Sequence, residues 1–347
     1  MCVYYKRKDD SFGPSLSLHF QFSTILMKLP IILFGLVFII LFCTVTAQVQ
    51  YQNTSSALYN TNVNLTTVYI SDLQGRHRNV SYYTVGKLAI VDGDIVYGIE
   101  ALLLSRRVTA TILERHALHK RVHSIFHDSP KKWPGAKVVY YYQSLSVKRK
   151  VQAYVDEAKM RWKKKNPFLQ FEERPVCDEP VAGQLMITSI DCAGCYANLG
   201  WSSSSELYMN LQQPSGLCGR GCYSNEATHE FGHALGLYHE HQRPDRDRHQ
   251  IFHCPNLMDP KCCNPGTCCD FSCFFRIIPN LDHSGPYGMT SLMQYRANAF
   301  ARPGLITLES IPFSEEVVPN TNPGFPDLLD NMRICEIYLK ECKLSPP

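Results

Sequence analysis

Apolar positions recur at helical spacing in the middle of the chain. Val147, Val151, Tyr154, Val155, Ala158 and Trp162 fall on one face, which predicts an amphipathic helix capped by Ser146 and ended by Asn166-Pro167. Just before it, Val138-Val139-Tyr140-Tyr141-Tyr142 is β-branched and aromatic and predicts a strand. Residues 168–173 and 184–190 read as further strands. A second helical stretch follows, in which Ala227, Phe231, Ala234 and Leu235 can supply a buried stripe. After Tyr295 the chain is rich in loops and proline until a predicted helix from Leu328 to Leu339.

Composition adds the compartment. With 347 residues, 45% hydrophobic and 19% charged, the chain is globular, and a net charge of +4 gives no reason to expect nucleic acid as a partner. Fifteen cysteines, crowded into the C-terminal half, point to an oxidising, extracellular environment. Residues 1–47 read as a leader and signal peptide, with initiation at Met27. Lys28 is followed by an apolar run through Phe42 and by Val45-Thr46-Ala47 as a small-residue cleavage site. The apolar run approaches the length of a membrane anchor, but Pro30 and the cleavage site favour removal, so no stable membrane association is expected.

Residues 48–121 differ in composition from the C-terminal two-thirds of the chain. They contain no cysteine but three glycosylation acceptors, Asn53, Asn64 and Asn79, and are expected to be a polar, partly irregular unit of their own. His119-Lys120-Arg121 offers a basic site that an activating protease could cut near Arg121, leaving 122–347 as the second unit.

The candidate chemistry lies between 229 and 239. His229 and His233, four apart on a helix, project from one face and can hold one metal ion; Glu230 is out of phase with them and free to act on water. Gly236 lets the chain turn back and deliver His239 as a third imidazole. Three imidazoles with an open fourth position describe a catalytic zinc site, and Glu230 then serves as general base and acid in peptide hydrolysis. Chance would place these residues at these offsets in roughly one such chain in twenty thousand.

This run resembles the zinc signature of the metzincin peptidases, and Glu240, Arg243, Asp245, Arg246 and Asp247 after it resemble the astacin branch. Ser291-Leu292-Met293-Gln294-Tyr295 is similar to the astacin Met-turn, with Gln294 where His is usual. Val91-Asp92-Gly93-Asp94 resembles the Phe-x-Gly-Asp motif of astacin pro-segments, with Val91 in place of Phe. The resemblance implies an α+β metzincin-type zinc protease domain, with a twisted, mostly parallel sheet and the zinc helix in its N-terminal subdomain. An irregular C-terminal subdomain would end in a helix.

It also implies roles. Met293 underlies the zinc, Tyr295 is a movable fifth ligand that stabilises the oxyanion, and Asp94 occupies the zinc until the pro-segment 48–121 leaves. The freed N-terminus would then pair with Glu240. Ala193 to Asn198 resembles the cleft edge strand, so Cys195 and Tyr196 would hold an extended substrate. Cys195–Cys222 and Cys177–Cys342 are the implied disulfides.

Six further cysteines crowd an insert at 254–273, where disulfides are the expected use and a second zinc site the alternative. Without Cys2 and Cys43 the cysteine count is odd, leaving one thiol unassigned. The expected protein is a secreted, latent, astacin-like zinc endopeptidase, one Zn2+ per subunit, acting on proteins or peptides. The alternative is a catalytically silent cysteine-rich binding protein on the same scaffold.

Overall fold

A computed structural model describes residues 60–71, 77–107, 132–264, 267–279, 281, 284–311 and 324–344. The leader, the signal peptide, Asn53 and the basic site at 119–121 lie outside the described residues.

Strand β5 (Lys137–Tyr142) leads into helix α2 (Leu145–Lys165), which buries Val147, Val151, Val155, Ala158 and Trp162 as the spacing predicts. An earlier short helix, α1 (Glu100–Leu104), closes the segment before it. The cap of α2 is Ser144, not Ser146: the Val147 N–H donates to the Ser144 side chain at 3.1 Å. That register puts Val147 in the first turn, where an amide has no partner within the helix and a serine oxygen supplies one. Strands β6 (Gln170–Glu173), β7 (Leu185–Thr188) and β9 (Leu207–Leu211) extend a parallel sheet in the order β9-β7-β5-β6. Strand β8 (Cys195–Asn198) lies antiparallel to β9 at the other side.

The segment expected to be partly irregular is a regular sheet over its described part. Strands β1 (Thr66–Ser71), β2 (His77–Val85), β3 (Leu88–Val91) and β4 (Ile95–Ile99) form an antiparallel meander. Val68, Ile70, Val80, Tyr82, Val91 and Ile95 bury together in a core of their own. Polar turns and short strands hid that alternation in the overall composition. Strand β4 then pairs in parallel with β8, Ile95 against Ala197 and Val96 against Asn198, so nine strands make one sheet. The edge expected to line a cleft is therefore covered by β4. Of the glycosylation acceptors, Asn64 is exposed, whereas Asn79 is half-buried and its amide donates to the Cys268 carbonyl at 2.8 Å.

Helix α3 (Ser224–Leu235) packs across α2, with the Trp162 indole N–H donating to the Thr228 carbonyl at 2.8 Å. Beyond it the described residues are mostly irregular, with short 3-10 turns and the two-stranded pair β10 (Gln250–Phe252) and β11 (Leu308–Ser310) before helix α4 (Leu328–Ile337). The predicted last helix breaks at Tyr338 and resumes as α5 (Leu339–Leu344). Tyr338 is buried there because its hydroxyl donates to Leu235 at the end of α3 and its oxygen accepts from the Trp133 N–H. No helix among the described residues is long and apolar enough to cross a membrane.

Cys195 is bonded to Cys222, which joins the β8 edge to the start of α3. The insert cysteines are disulfides: Cys254–Cys263, Cys262–Cys269 and Cys268–Cys273. Cys192–Cys218 is a further bridge. The implied Cys177–Cys342 bond is not formed. Cys342 pairs with Cys335, because the α4–α5 corner brings those two Cα atoms within 5.3 Å. Cys177 is disulfide-bonded as well, so none of the described cysteines is a free thiol.

Non-reducing tryptic digestion is expected to release the peptide holding Cys335 joined to the one holding Cys342, with the cut falling at Lys340 between them; a Cys177–Cys342 peptide would contradict this fold. Replacing Cys195 and Cys222 by serine should lower unfolding free energy by about 3–4 kcal/mol, the chain-entropy value for a loop of this size, as read from a denaturant titration.

Candidate active site

Helix α3 carries His229, Glu230 and His233 on its buried side and ends where the sequence places the glycine. Gly236 has φ 113°, a left-handed conformation open to glycine, and its N–H donates to the His233 carbonyl at 2.9 Å. The reversed chain brings His239 back beside the helix.

Four ligand atoms converge there. The Nε2 atoms of His229, His233 and His239 lie 3.3, 3.5 and 3.1 Å from oxygens of Asp94, and all four ligand atoms fall within 4.8 Å of one another. His229 donates its Nδ1–H to the Leu292 carbonyl and His233 its Nδ1–H to the Leu237 carbonyl, each at 2.8 Å. Those bonds leave the Nε2 lone pairs facing inward, only 3.1 Å apart. Burial lowers His233 to about 4, so it is neutral. A buried carboxylate facing the lone pairs of His229 and His233 is stabilised by a cation. The His229–His233 spacing is close to the edge of a tetrahedron with zinc–nitrogen arms, about 3.3 Å. The residues fit zinc.

Burial would raise the Asp94 carboxyl, but the surrounding imidazoles, His239 and His233 foremost and then His229, hold it well below the usual range. Glu230 is the opposite case. Burial, with the charges of Asp94 and Glu226, pushes it well above the usual carboxylate range, and neither of its oxygens has a hydrogen-bond partner. A buried carboxyl with both oxygens unpaired is costly and is kept where it is used.

The Met-turn lies beneath. Met293 is buried, and its carbonyl accepts from the Glu240 N–H at 2.9 Å. Gly232 makes room for it: a Cβ at that position would meet the Met293 sulfur at 2.5 Å. Gln294 is buried away from the cluster, accepting from the Tyr287 hydroxyl and donating to Gln250 and to the Tyr295 carbonyl.

Tyr295 is held by the turn between β3 and β4, its hydroxyl donating to the Asp92 carbonyl at 2.5 Å. Gly93 permits that approach, since a Cβ there would stand 2.4 Å from the Tyr295 oxygen and its φ of +94° disfavours any other residue. Cys195 and Tyr196 lie buried in β8, whose Ala197 N–H donates to the Asp94 carbonyl at 3.0 Å.

Glu240 is already paired in the uncut chain. It accepts from Arg243 at 3.1 Å, from the Gly288 N–H at 2.7 Å and from both guanidinium nitrogens of Arg333 on α4. Arg333 lies nearly a hundred residues from Glu240 in sequence, so no local reading pairs the two.

Two more residues escaped the sequence. His241 is buried between His239 and Tyr295, its ring centroid 5.2 and 3.9 Å from theirs, and Nε2 bonds the Phe274 carbonyl at 2.9 Å. Its place two residues after the third ligand was the available signal. Asp330 on α4 accepts from the Ser291 hydroxyl and, at 2.8 Å, from the Leu292 N–H; the Leu292 carbonyl orients His229. Locally Asp330 reads only as the capping-box partner of Asp327, whose N–H it accepts at 3.0 Å; its Met-turn partners are about forty residues away.

An α+β fold in which a three-histidine helix-and-turn site faces a mixed sheet and rests on a Met-turn defines a metzincin-type zinc peptidase scaffold. The profile of the Astacin peptidase family matches residues 126–327, more than half of the 347, and the chain belongs to the astacin family. It is 32% identical over 151 residues to zinc metalloproteinase nas-6 of Caenorhabditis elegans, covering 43% of this chain and 39% of that protein. Against zinc metalloproteinase nas-17 of the same organism it is 33% identical over 165 residues, covering 47% of this chain and 32% of that protein. The matches thus span about a third of these relatives' lengths. Among solved structures, high choriolytic enzyme 1, a hatching enzyme zinc-protease from Oryzias latipes, is 22% identical with a TM-score of 0.46, covering 61% of this chain and 94% of that one.

Replacing Asp330 by alanine should destabilise the protein by about 2 kcal/mol or more, because the buried Leu292 N–H loses its acceptor. Urea unfolding measures this, and an unchanged midpoint would mean that the Met-turn does not lean on α4.

Proposed function

We propose that this protein is a secreted, zinc-dependent endopeptidase made latent by Asp94. The convergence of three inward-facing imidazoles on the Asp94 carboxylate, beside the unpaired buried Glu230, carries the reading. His229, His233 and His239 would hold the zinc, which when bound supplies Lewis-acid chemistry and lowers the pKa of water.

The chain's own groups do the rest. Glu230 accepts a proton from water and returns it to the departing amine nitrogen. Once the Asp92 carbonyl is withdrawn, the Tyr295 phenol is free to donate to the carbonyl oxygen on which negative charge develops. The β8 edge at Cys195 and Tyr196, released from β4, offers backbone groups to which an extended peptide adds as a strand. In the uncut chain Asp94 fills the space among the imidazoles while β4 covers the edge, and cutting near Arg121 begins their removal. Secretion is supported by the signal-like segment and by the dense disulfides. A silent binding scaffold would have no use for a buried carboxylate whose oxygens bond to nothing.

With the chain cut near Arg121 and the pro-segment removed, Glu230→Ala should lose hydrolysis of a denatured protein by about 10²-fold or more while keeping one zinc per chain. Loss of zinc together with activity would assign Glu230 to the metal instead. Tyr295→Phe should lower kcat by about 10²-fold with little change in KM; an unaltered kcat removes the phenol from the reaction.

A further inference from the structure

The insert at 254–273, taken with Phe274 to Arg276 that follow it, has no part in the chemistry above, yet it stands between the catalytic tyrosine and the pro-segment. Its inner side is fixed to the site. The Phe275 ring packs edge-on to Tyr295 at 5.6 Å, and Phe274 and Phe275 offer their carbonyls to His241 and Arg246 at 2.9 and 2.5 Å. Its outer side grips β1 and β2. The Cys268 carbonyl accepts from the Asn79 amide at 2.8 Å, Arg276 donates to the Asn79 carbonyl at 3.1 Å, and the Asp270 N–H donates to the Thr67 hydroxyl at 3.1 Å. Three disulfides within about twenty residues hold this surface rigid, so its hydrogen bonds form without first ordering a loop.

We propose that the cysteine-stapled insert is a docking platform for the chain's own pro-segment, so that cutting near Arg121 leaves residues 60–107 seated on the cleft as a non-covalent inhibitor. The proposal rests on the reading of Asp94 as a latch and adds the regulation of that latch. The attachments are spatially separate. Asp94 sits among the imidazoles, β4 on β8, Lys87 against Glu206 at 2.6 Å, and Asn79 and Thr67 on the insert. None of them depends on the peptide bond that activation cuts. Separate weak contacts carried on one folded piece act together, because release requires all of them to open at once. A second event, dilution or further digestion of the pro-segment, must therefore follow the first cut.

The test uses the full chain with His119-Lys120-Arg121 replaced by the recognition sequence of a site-specific protease. The cut chain is diluted in series, and retention of the N-terminal piece is read by native size-exclusion chromatography alongside hydrolysis of a denatured protein. The pieces are expected to co-elute after cutting, with activity appearing as they part. Arg276→Ala should raise the half-release concentration about tenfold, and Thr67→Val, which leaves the insert untouched, should raise it severalfold. Pieces that separate at once on cutting, or half-release concentrations unchanged in both variants, would overturn the clamp. Failure of the peptidase reading looks different: the purified C-terminal piece, loaded with zinc, would be inactive, while retention would still report on the insert.

Discussion

A carboxylate buried among three imidazoles is the contact on which the rest of this structure depends. Asp94 is fully enclosed, and an isolated charge there would be prohibitively costly. The inward-facing imidazoles provide compensation, and a metal ion would provide more. Asp94 reaches them from the turn just before β4, and both its carbonyl and the strand after it are paired to β8. The segment that carries Asp94 is accordingly a sheet, continuous with that of the C-terminal part, and not a loose polar tail. Its turn at Asp92-Gly93 also reaches the Tyr295 hydroxyl, so one short motif occupies the metal site, the cleft edge and the phenol together.

The site is in turn held from below by groups that carry charge into the interior. Glu240, directly after the third ligand, is bound by Arg243 and Arg333 and by a backbone amide, and Asp330 is buried against the Met-turn. Breaking such pairs is costly because the remaining charge stays buried. Both Arg333 and Asp330 come from α4, so the C-terminal helix is part of the floor of the site. That dependence explains why an irregular C-terminal region can still fix imidazole positions: hydrogen bonds to buried carboxylates supply the order that regular strands supply elsewhere.

Local patterns in the sequence were enough for anything governed by neighbours along the chain. The stripe from Val147 to Trp162, the spacing of His229, Glu230 and His233, and the left-handed turn at Gly236 all follow from helical geometry and backbone freedom, and the structure holds them. Ser144 in place of Ser146 and the break at Tyr338 show the limit of that reading. Helix ends are decided by which partner reaches the last unpaired amide or carbonyl. For Tyr338 that partner is Leu235, about a hundred residues away.

What the sequence determined by itself, then, was the chemistry: three imidazoles, a carboxylate beside them and a phenol on a turn, because spacing of 3.6 residues per turn makes the helical pair neighbours before the chain folds. Tertiary structure alone decided how that chemistry is held and withheld. The pairing of β4 with β8, Arg333 on Glu240, Asp330 under the Met-turn and the insert against Asn79 each join segments whose meeting depends on the whole packing. No local period encodes such contacts. They form because every buried charge, strand edge and thiol must find a partner, and the folded chain limits which one is within reach.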